Sequence, residues 1–188
     1  MSTNTTVDNA YWLACHEDSK VAALGRATLE ALAESGCYRA MLHFISVYDL
    51  GNGGVVPNAE IATKWIQRAR EKHPTMIDAD DLYAAGARCC WDLRFEVPKI
   101  EALQMLQRAG EIGHAGALWE MYEQTRHENP LGVDRRQVLE SAAQGLSTQA
   151  LVELATLEHR NDHERSMILL RAAEALGSLR AREMLASQ

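Results

Sequence analysis

The sequence has little that would build β-structure. Runs in which Val, Ile and Thr alternate with polar residues are missing, so strands have no support. Proline occurs only four times in 188 residues, and aromatic residues make up 6%. There is no run of about 18 apolar residues, which argues against a membrane-spanning helix. Cations are outnumbered 26 to 19, giving a net charge of −7. A surface of that sign does not suit general nucleic-acid binding, which needs basic side chains to displace counterions. The start, Met1–Asp8, lacks the basic and apolar regions of a secretory leader, so the expectation is a cytoplasmic protein.

Cysteine is also scarce. Cys15, Cys37, Cys89 and Cys90 match neither a CxxC metal clip nor a disulfide ladder. They are expected to be small buried apolar residues in a reducing compartment. No metal or other cofactor is expected.

What the chain does have is alanine and leucine, within a 47% hydrophobic composition. Both lose little freedom in a helix. It also repeats itself. Ala62-Thr-Lys-Trp-Ile-Gln-Arg-Ala69 aligns without gaps on Ala102-Leu-Gln-Met-Leu-Gln-Arg-Ala109, and a weaker copy spans Ser166–Ala173. Small residues stand first and last in each, with a large apolar residue fourth. Offsets of three and seven share one helical face, and small residues there let another helix come close. A second signal is a glycine followed four residues later by alanine: Gly36 and Ala40, Gly113 and Ala117, Gly177 and Ala181. Gly145 fits with its alanine displaced to Ala150, and His73 holds the equivalent place after Ala69. Each glycine is expected to cap a helix in the left-handed conformation. The period is degenerate, about 36 residues.

The fullest copy reads Gly36-x3-Ala40-x3-Phe44-x3-Tyr48-x2-Gly51-x-Gly53-Gly54-Val55-x2-Asn58-x3-Ala62-x2-Trp65-x3-Ala69. It resembles the Sel1-like repeat, a relative of the tetratricopeptide repeat, and the glycine-rich turn at 51–55 is the distinguishing part. The sequence departs from the pattern by one extra glycine in that turn. In later copies Arg94–Val97 and Glu128–Val133 replace the turn glycines almost entirely. The resemblance covers roughly residues 20 to 185.

A helix pair cannot bury its apolar face alone, but stacked pairs share one core. The prediction is therefore an all-α chain, an α-solenoid of about five stacked antiparallel helix pairs. Residues 1–18 would form an N-terminal segment with a short capping helix, and 19–188 the solenoid. Helices are expected near 8–17, 19–35, 37–50, 58–71, 77–93, 97–112, 114–127, 134–144, 146–160, 163–176 and 178–187. Pro57, Pro98 and Pro130 fall at or just before helix starts, and Asp134 is a capping residue.

No catalytic set stands out. His159 and His163 have the spacing of two metal ligands, but Asn161 and Asp162 between them read as a turn. Asp78, Asp80 and Asp81 sit where carboxylates favour the positive end of a helix. Gly51–Gly54 lacks the Lys and Ser or Thr of a phosphate loop, and no strand precedes it. The chain is not expected to be an enzyme.

The resemblance implies a protein partner held on the concave face, which in this repeat family is lined by the first helix of each pair. Offsets of two, three and six from each alanine point away from the core stripe. They select Leu42, His43 and Ser46; then Trp119, Glu120 and Glu123; then Val152, Glu153 and Thr156. Leu42, Trp119 and Val152 should partly face solvent, with Trp119 as the central hot spot. Tyr38, Arg39, Arg88 and Tyr122 are rim candidates. The acidic surface suits a basic partner. Bacterial proteins resembling this repeat act as adaptors, secretion-associated chaperones and immunity proteins, so the expected partner is one cognate protein, such as a secreted toxin. The alternatives are a scaffold bridging signalling or envelope proteins, a homodimer through the terminal helix Ser178–Gln188, and a metal-dependent enzyme on a helical scaffold.

Overall fold

The computed structural model describes residues 3–187. Met1, Ser2 and Gln188, the ends of the expected N-terminal segment and terminal helix, lie outside the described residues. Eleven α-helices and three short 3-10 turns make up the secondary structure, with no strand among the described residues. The helices are α1 (Thr3–Ala14), α2 (Ser19–Glu34), α3 (Tyr38–Leu50), α4 (Ala59–Lys72), α5 (Ala79–Trp91), α6 (Lys99–Glu111), α7 (Ala115–Gln124), α8 (Arg135–Gln144), α9 (Thr148–Glu158), α10 (His163–Ala175) and α11 (Leu179–Ala186). All eleven expected helices exist. The first lies several residues nearer the N-terminus than 8–17, because Asp18 caps α2 through the amides of Lys20 and Val21 and His16 turns back on it.

Two compact units result. The first runs to Ile77 and includes Asp92–Glu96; the second holds Asp78–Trp91 and everything from Val97. In the first, α1 packs on α2 and α3 on α4. In the second, α5 pairs with α6, α7 with α8 and α9 with α10, and α11 closes against α10.

The repeated small residues are where the helices meet. Ala62, Ala69, Ala102, Ala109 and Ala173 have no exposure, and Ser166 is buried with its hydroxyl donating to the Ala155 carbonyl. Trp65 and Met105, the fourth residues, are buried. Their counterpart Leu169 is half-buried. Around Trp65 the first unit builds its core: the Phe44 ring meets it edge-on at 5.3 Å, and Leu29, Met41, Ile45 and Ile66 fill the rest.

The glycine-rich turn does more than set torsions. Gly51 and Gly53 are left-handed, at φ 71° and 63°. A Cβ on Gly53 would also strike the Ala14 carbonyl oxygen, and one on Gly25 the Ala14 backbone nitrogen. The end of α1 is thus gripped between α2 and the turn, while Arg26 donates to the Gly53 carbonyl at 2.8 Å. Where the next copy has Asp92–Glu96 in place of glycines, an anchor takes over. Phe95 is fully buried against the His73 ring, Arg94 makes two hydrogen bonds to Asp49 and two to Asp92, and Glu96 accepts from Arg70. Asp49 and then Asp92 hold the Arg94 guanidinium well above its ordinary pKa.

Several expectations about caps need correction. Gly36, Gly113 and Gly177 are left-handed, as expected. Gly145 is not, at φ −75°; Leu146 is, at φ 64°. The spacing of four to Ala150 is therefore kept, and the cap, not the alanine, has moved. His73 is no left-handed cap either: it opens a 3-10 turn and is buried. Pro130 lies inside the ten-residue loop 125–134 and away from the start of α8. Cys89 is buried, but Cys15, Cys37 and Cys90 are half-buried, and none of the four forms a disulfide. Among the described residues no helix is long and apolar enough to cross a membrane.

Two outcomes follow from these contacts. Leu146 is 62% exposed and carries a backbone strain that glycine would not feel. Leu146→Gly should stabilise the protein by about 0.5–1 kcal/mol after the extra chain entropy of glycine is subtracted, measured by urea unfolding. His73 hydrogen-bonds the Tyr38 hydroxyl at 2.9 Å, and burial, then Arg70, lower its pKa to about 4. Below the unfolded value near 6.5 the unfolded chain takes up a proton that the folded chain refuses. Stability should fall as pH drops from about 6.5 to about 4 and level off below. His43, also lowered by burial and Arg39, adds to the same trend. Thermal melts of His73→Gln should show a flatter profile over that window.

Candidate interaction face

The sequence-selected residues divide between the units. In the first, Leu42 is half-buried on α3. His43 is covered by α1: its ring stacks on Tyr11 at 4.3 Å and its Nε2 lies 3.6 Å from Asp8. Arg39 joins the same carboxylate at 2.7 Å. These two side chains hold the N-terminal helix in place. Tyr38, named as a rim residue, is buried and bonded to His73. The rim expectation fails because Tyr38 opens α3 against α4, where its hydroxyl meets the buried imidazole.

In the second unit most candidates converge. The first helices α5, α7 and α9 are joined side by side by their side chains. The Trp91 indole N–H donates to Glu120 at 3.2 Å, and the Tyr122 hydroxyl to Glu153 at 3.4 Å. Trp119 is half-buried with its ring 5.6 Å from that of Tyr122. Glu120 and Glu123 are half-buried beside it. The field of these carboxylates is visible in their neighbours. Burial and then Glu120 raise the Tyr83 hydroxyl, and the same pair pushes the Cys90 thiol up to about 11. Burial and then Glu153 raise Tyr122. Arg88 is half-buried on α5.

Two expectations about exposure are corrected here. Val152 is only 3% exposed, not partly open to solvent. Tyr122 is likewise mostly buried, leaving its hydroxyl end for Glu153. The offset rule fails at Val152 because α9 buries a wide stripe, with Ala150, Leu151, Val152, Leu154 and Ala155 all inside. On α7, which has fewer buried positions, the same offsets fall on half-buried residues.

Sequence reasoning missed two residues of this face. Trp91, at the end of α5, is 74% exposed and stands three residues after Arg88 on the same side of the helix. That spacing was the available signal. Arg126 follows α7 and lies over the Tyr122 ring, 5.7 Å from its centroid, with nitrogens 3.0 Å from both Glu123 and Glu153. Nothing in the local sequence pairs it with Glu153, which comes from the next first helix.

The metal-ligand spacing resolves as a turn: α9 ends at Glu158 and α10 begins at His163, with the two imidazoles edge-on at 5.3 Å. Among the described residues no three His, Cys, Asp or Glu side chains converge as metal ligands. Asp78 caps α5 through the amides of Asp80 and Asp81.

The helix-pair geometry can be compared with solved structures. The whole chain superposes on a Sel1 repeat protein from Oxalobacter formigenes, with a TM-score of 0.66 at 19% identity over 80% of that chain. Over 93% of its length it matches c5321, a protective antigen of uropathogenic Escherichia coli strains displaying an SLR fold, with a TM-score of 0.62 at 16% identity. This chain has the Sel1-like repeat fold. What it shares with them is an all-α solenoid of antiparallel helix pairs, and its own eleven helices, among the described residues, make about five such pairs. Pseudomonas aeruginosa 5086 matches over 90% of the chain, with a TM-score of 0.55 and 19% identity. The present chain spans 38% of c5321 and 64% of the Pseudomonas protein. No protein-family model matches the sequence, and no curated protein matches it. In Sel1-like terms, α3, α5, α7 and α9 are the first helices of their pairs; exposed Trp91 and half-buried Trp119, Glu120, Glu123 and Glu153 lie on α5, α7 and α9.

One outcome tests the electrostatics of this face. With its thiol held near 11, Cys90 should react with iodoacetamide at pH 8 at least tenfold more slowly than a free thiol of pKa near 8.5. Peptide mapping after timed alkylation measures the rate.

Proposed function

We propose that the protein is a binding module, not an enzyme, and that its partner is another protein seated on α5, α7 and α9. The observation that carries this reading is the exposure of Trp91 and the partial exposure of Trp119 among Glu120, Glu123 and Glu153. Aromatic side chains ringed by polar groups supply most of the energy in protein interfaces. A solenoid face offers them on rigid, adjacent helices. The likeness in fold to Sel1 repeat proteins supports a role in protein recognition. The finer reading is a bacterial cytoplasmic protein of the immunity or secretion-chaperone type, which neutralises or escorts one cognate protein. An acidic chain and a single aromatic centre suit a stoichiometric complex with a basic partner. Val152, buried on α9, and Arg88, half-buried on α5, then support the interface from within the second unit.

A second reading is favoured by the far end of the second unit. Ile168, Leu176 and Leu179 are exposed there, and a second copy could cover them. Light scattering after size exclusion would give twice the monomer mass if so.

Affinity capture from the native cell tests the main reading. The wild-type chain should retain one protein in stoichiometric amount, and Trp119→Ala with Trp91→Ala should lose it by more than about tenfold in affinity. Recovery of no partner at low salt, or equal recovery by the double variant, would count against it.

A further inference from the structure

Arg126 occupies a site that has the chemistry of a recognition pocket. Its guanidinium bridges Glu123 and Glu153, one nitrogen to each at 3.0 Å, and lies over the Tyr122 ring. The Tyr122 hydroxyl donates to the same Glu153 carboxylate at 3.4 Å. The Trp119 ring lies 5.6 Å from that of Tyr122, tilted by 32°. Planar cations are held in this way by paired carboxylates and an aromatic face, and arginine fits such a site better than lysine does.

The occupant is exposed and sits just past the end of α7. Its backbone is fixed independently of its side chain. Arg135 donates to the Arg126 and Thr125 carbonyls, the Thr125 hydroxyl bonds the Met121 carbonyl, and Asn129 closes the loop on Val133. The Arg126 side chain can therefore leave without unravelling the loop that carries it. What it would leave behind is two carboxylates beside an aromatic ring, on the face that carries exposed Trp91 and half-buried Trp119, in a chain of net charge −7.

We infer that Tyr122, Glu123 and Glu153 form a guanidinium-binding site which Arg126 fills in the free protein, and that an arginine presented by a basic segment of the partner displaces it. This inference rests on the binding face proposed above and names the chemistry of what binds there. Arg126 acts as an internal competitor. Segments that offer arginine next to an apolar residue for Trp119 gain access, while segments with acidic residues meet repulsion from Glu120, Glu123 and Glu153.

The probes are tetra-arginine amide and tetra-lysine amide, titrated by calorimetry into the full chain. Arg126→Gln should bind tetra-arginine about tenfold more tightly than the wild type does, a change of about 1.4 kcal/mol. Adding Glu153→Gln should return the affinity to the wild-type level. Tetra-lysine should gain less than about twofold, since it has the charge without the planar fork. In the wild-type chain, saturating tetra-arginine should move the Arg126 Nε–H resonance to the position of a free arginine, a readout that needs no variant to fold. An unmoved resonance, no gain in Arg126→Gln, or equal gains for both peptides would overturn the inference. If Trp119→Ala loses the native partner while these titrations show no displacement, the binding face stands and the guanidinium site falls. If the partner is kept by the Trp119→Ala and Trp91→Ala chain, the underlying reading falls first.

Discussion

The close approach of helices at alanine governs what the rest of the structure can do. Ala40, Ala117, Ala150 and Ala181 have no exposure, and each stands four residues after a left-handed residue. Those two facts are linked. The left-handed residue turns the chain back sharply, and the alanine that follows has no side chain to hold the incoming helix away. Once the crossing is fixed, the helical period decides which residues of each first helix are inside and which are left over. The leftover residues are the only material from which a binding face can be made. On α7 they include Trp119, Glu120 and Glu123.

That dependence explains what could be read from the sequence. The helices, the alanine crossings and the repeat were legible because they rest on local periodicity and on glycine and alanine at fixed spacing. Leu146 was not, since a leucine at positive φ has no sequence signature; only the preserved spacing to Ala150 reveals it. The loss of turn glycines in the second full copy looked like decay. It is a replacement, in which Phe95 fills the space and Arg94 ties the turn to Asp49. A partner 45 residues away cannot be inferred from a local motif. The same limit hid Arg126, whose second carboxylate comes from α9. Val152 failed for another reason: the offset rule assumes equal buried stripes on every first helix, and α9 buries more of itself than α7 does.

The arginines separate into two kinds by burial of their partners. Glu158 is buried, and both Arg136 and Arg165 reach it from flanking helices, with Glu140 shared between them. Removing a cation there would strand a carboxylate away from water, so this network is tied to the fold. Arg126 differs. Its two carboxylates, Glu123 at 33% and Glu153 at 14% side-chain exposure, are less deeply covered than Glu158 at 8%. The chemistry is similar, but only the second kind is free to exchange one guanidinium for another.

The contacts that join α5 to α7 and α7 to α9 on this face have the same character. The exposed Trp91–Glu120 bond contributes at most about 1 kcal/mol, and the partly buried Tyr122–Glu153 bond, long at 3.4 Å, is also weak. They align the aromatic rings without storing much energy in the free state. The alanine crossings beneath them hold the helices, so the surface bonds are not needed to keep the fold. A partner that takes over Glu120 or Glu153 therefore meets a rigid platform whose outermost hydrogen bonds are weak. Rigidity limits the ordering cost of association, and weak surface bonds limit the cost of desolvation and exchange. The proposed binding face therefore rests on a division of labour: buried alanines hold the helices and the aromatic–acid pairs above them carry little of the fold's stability.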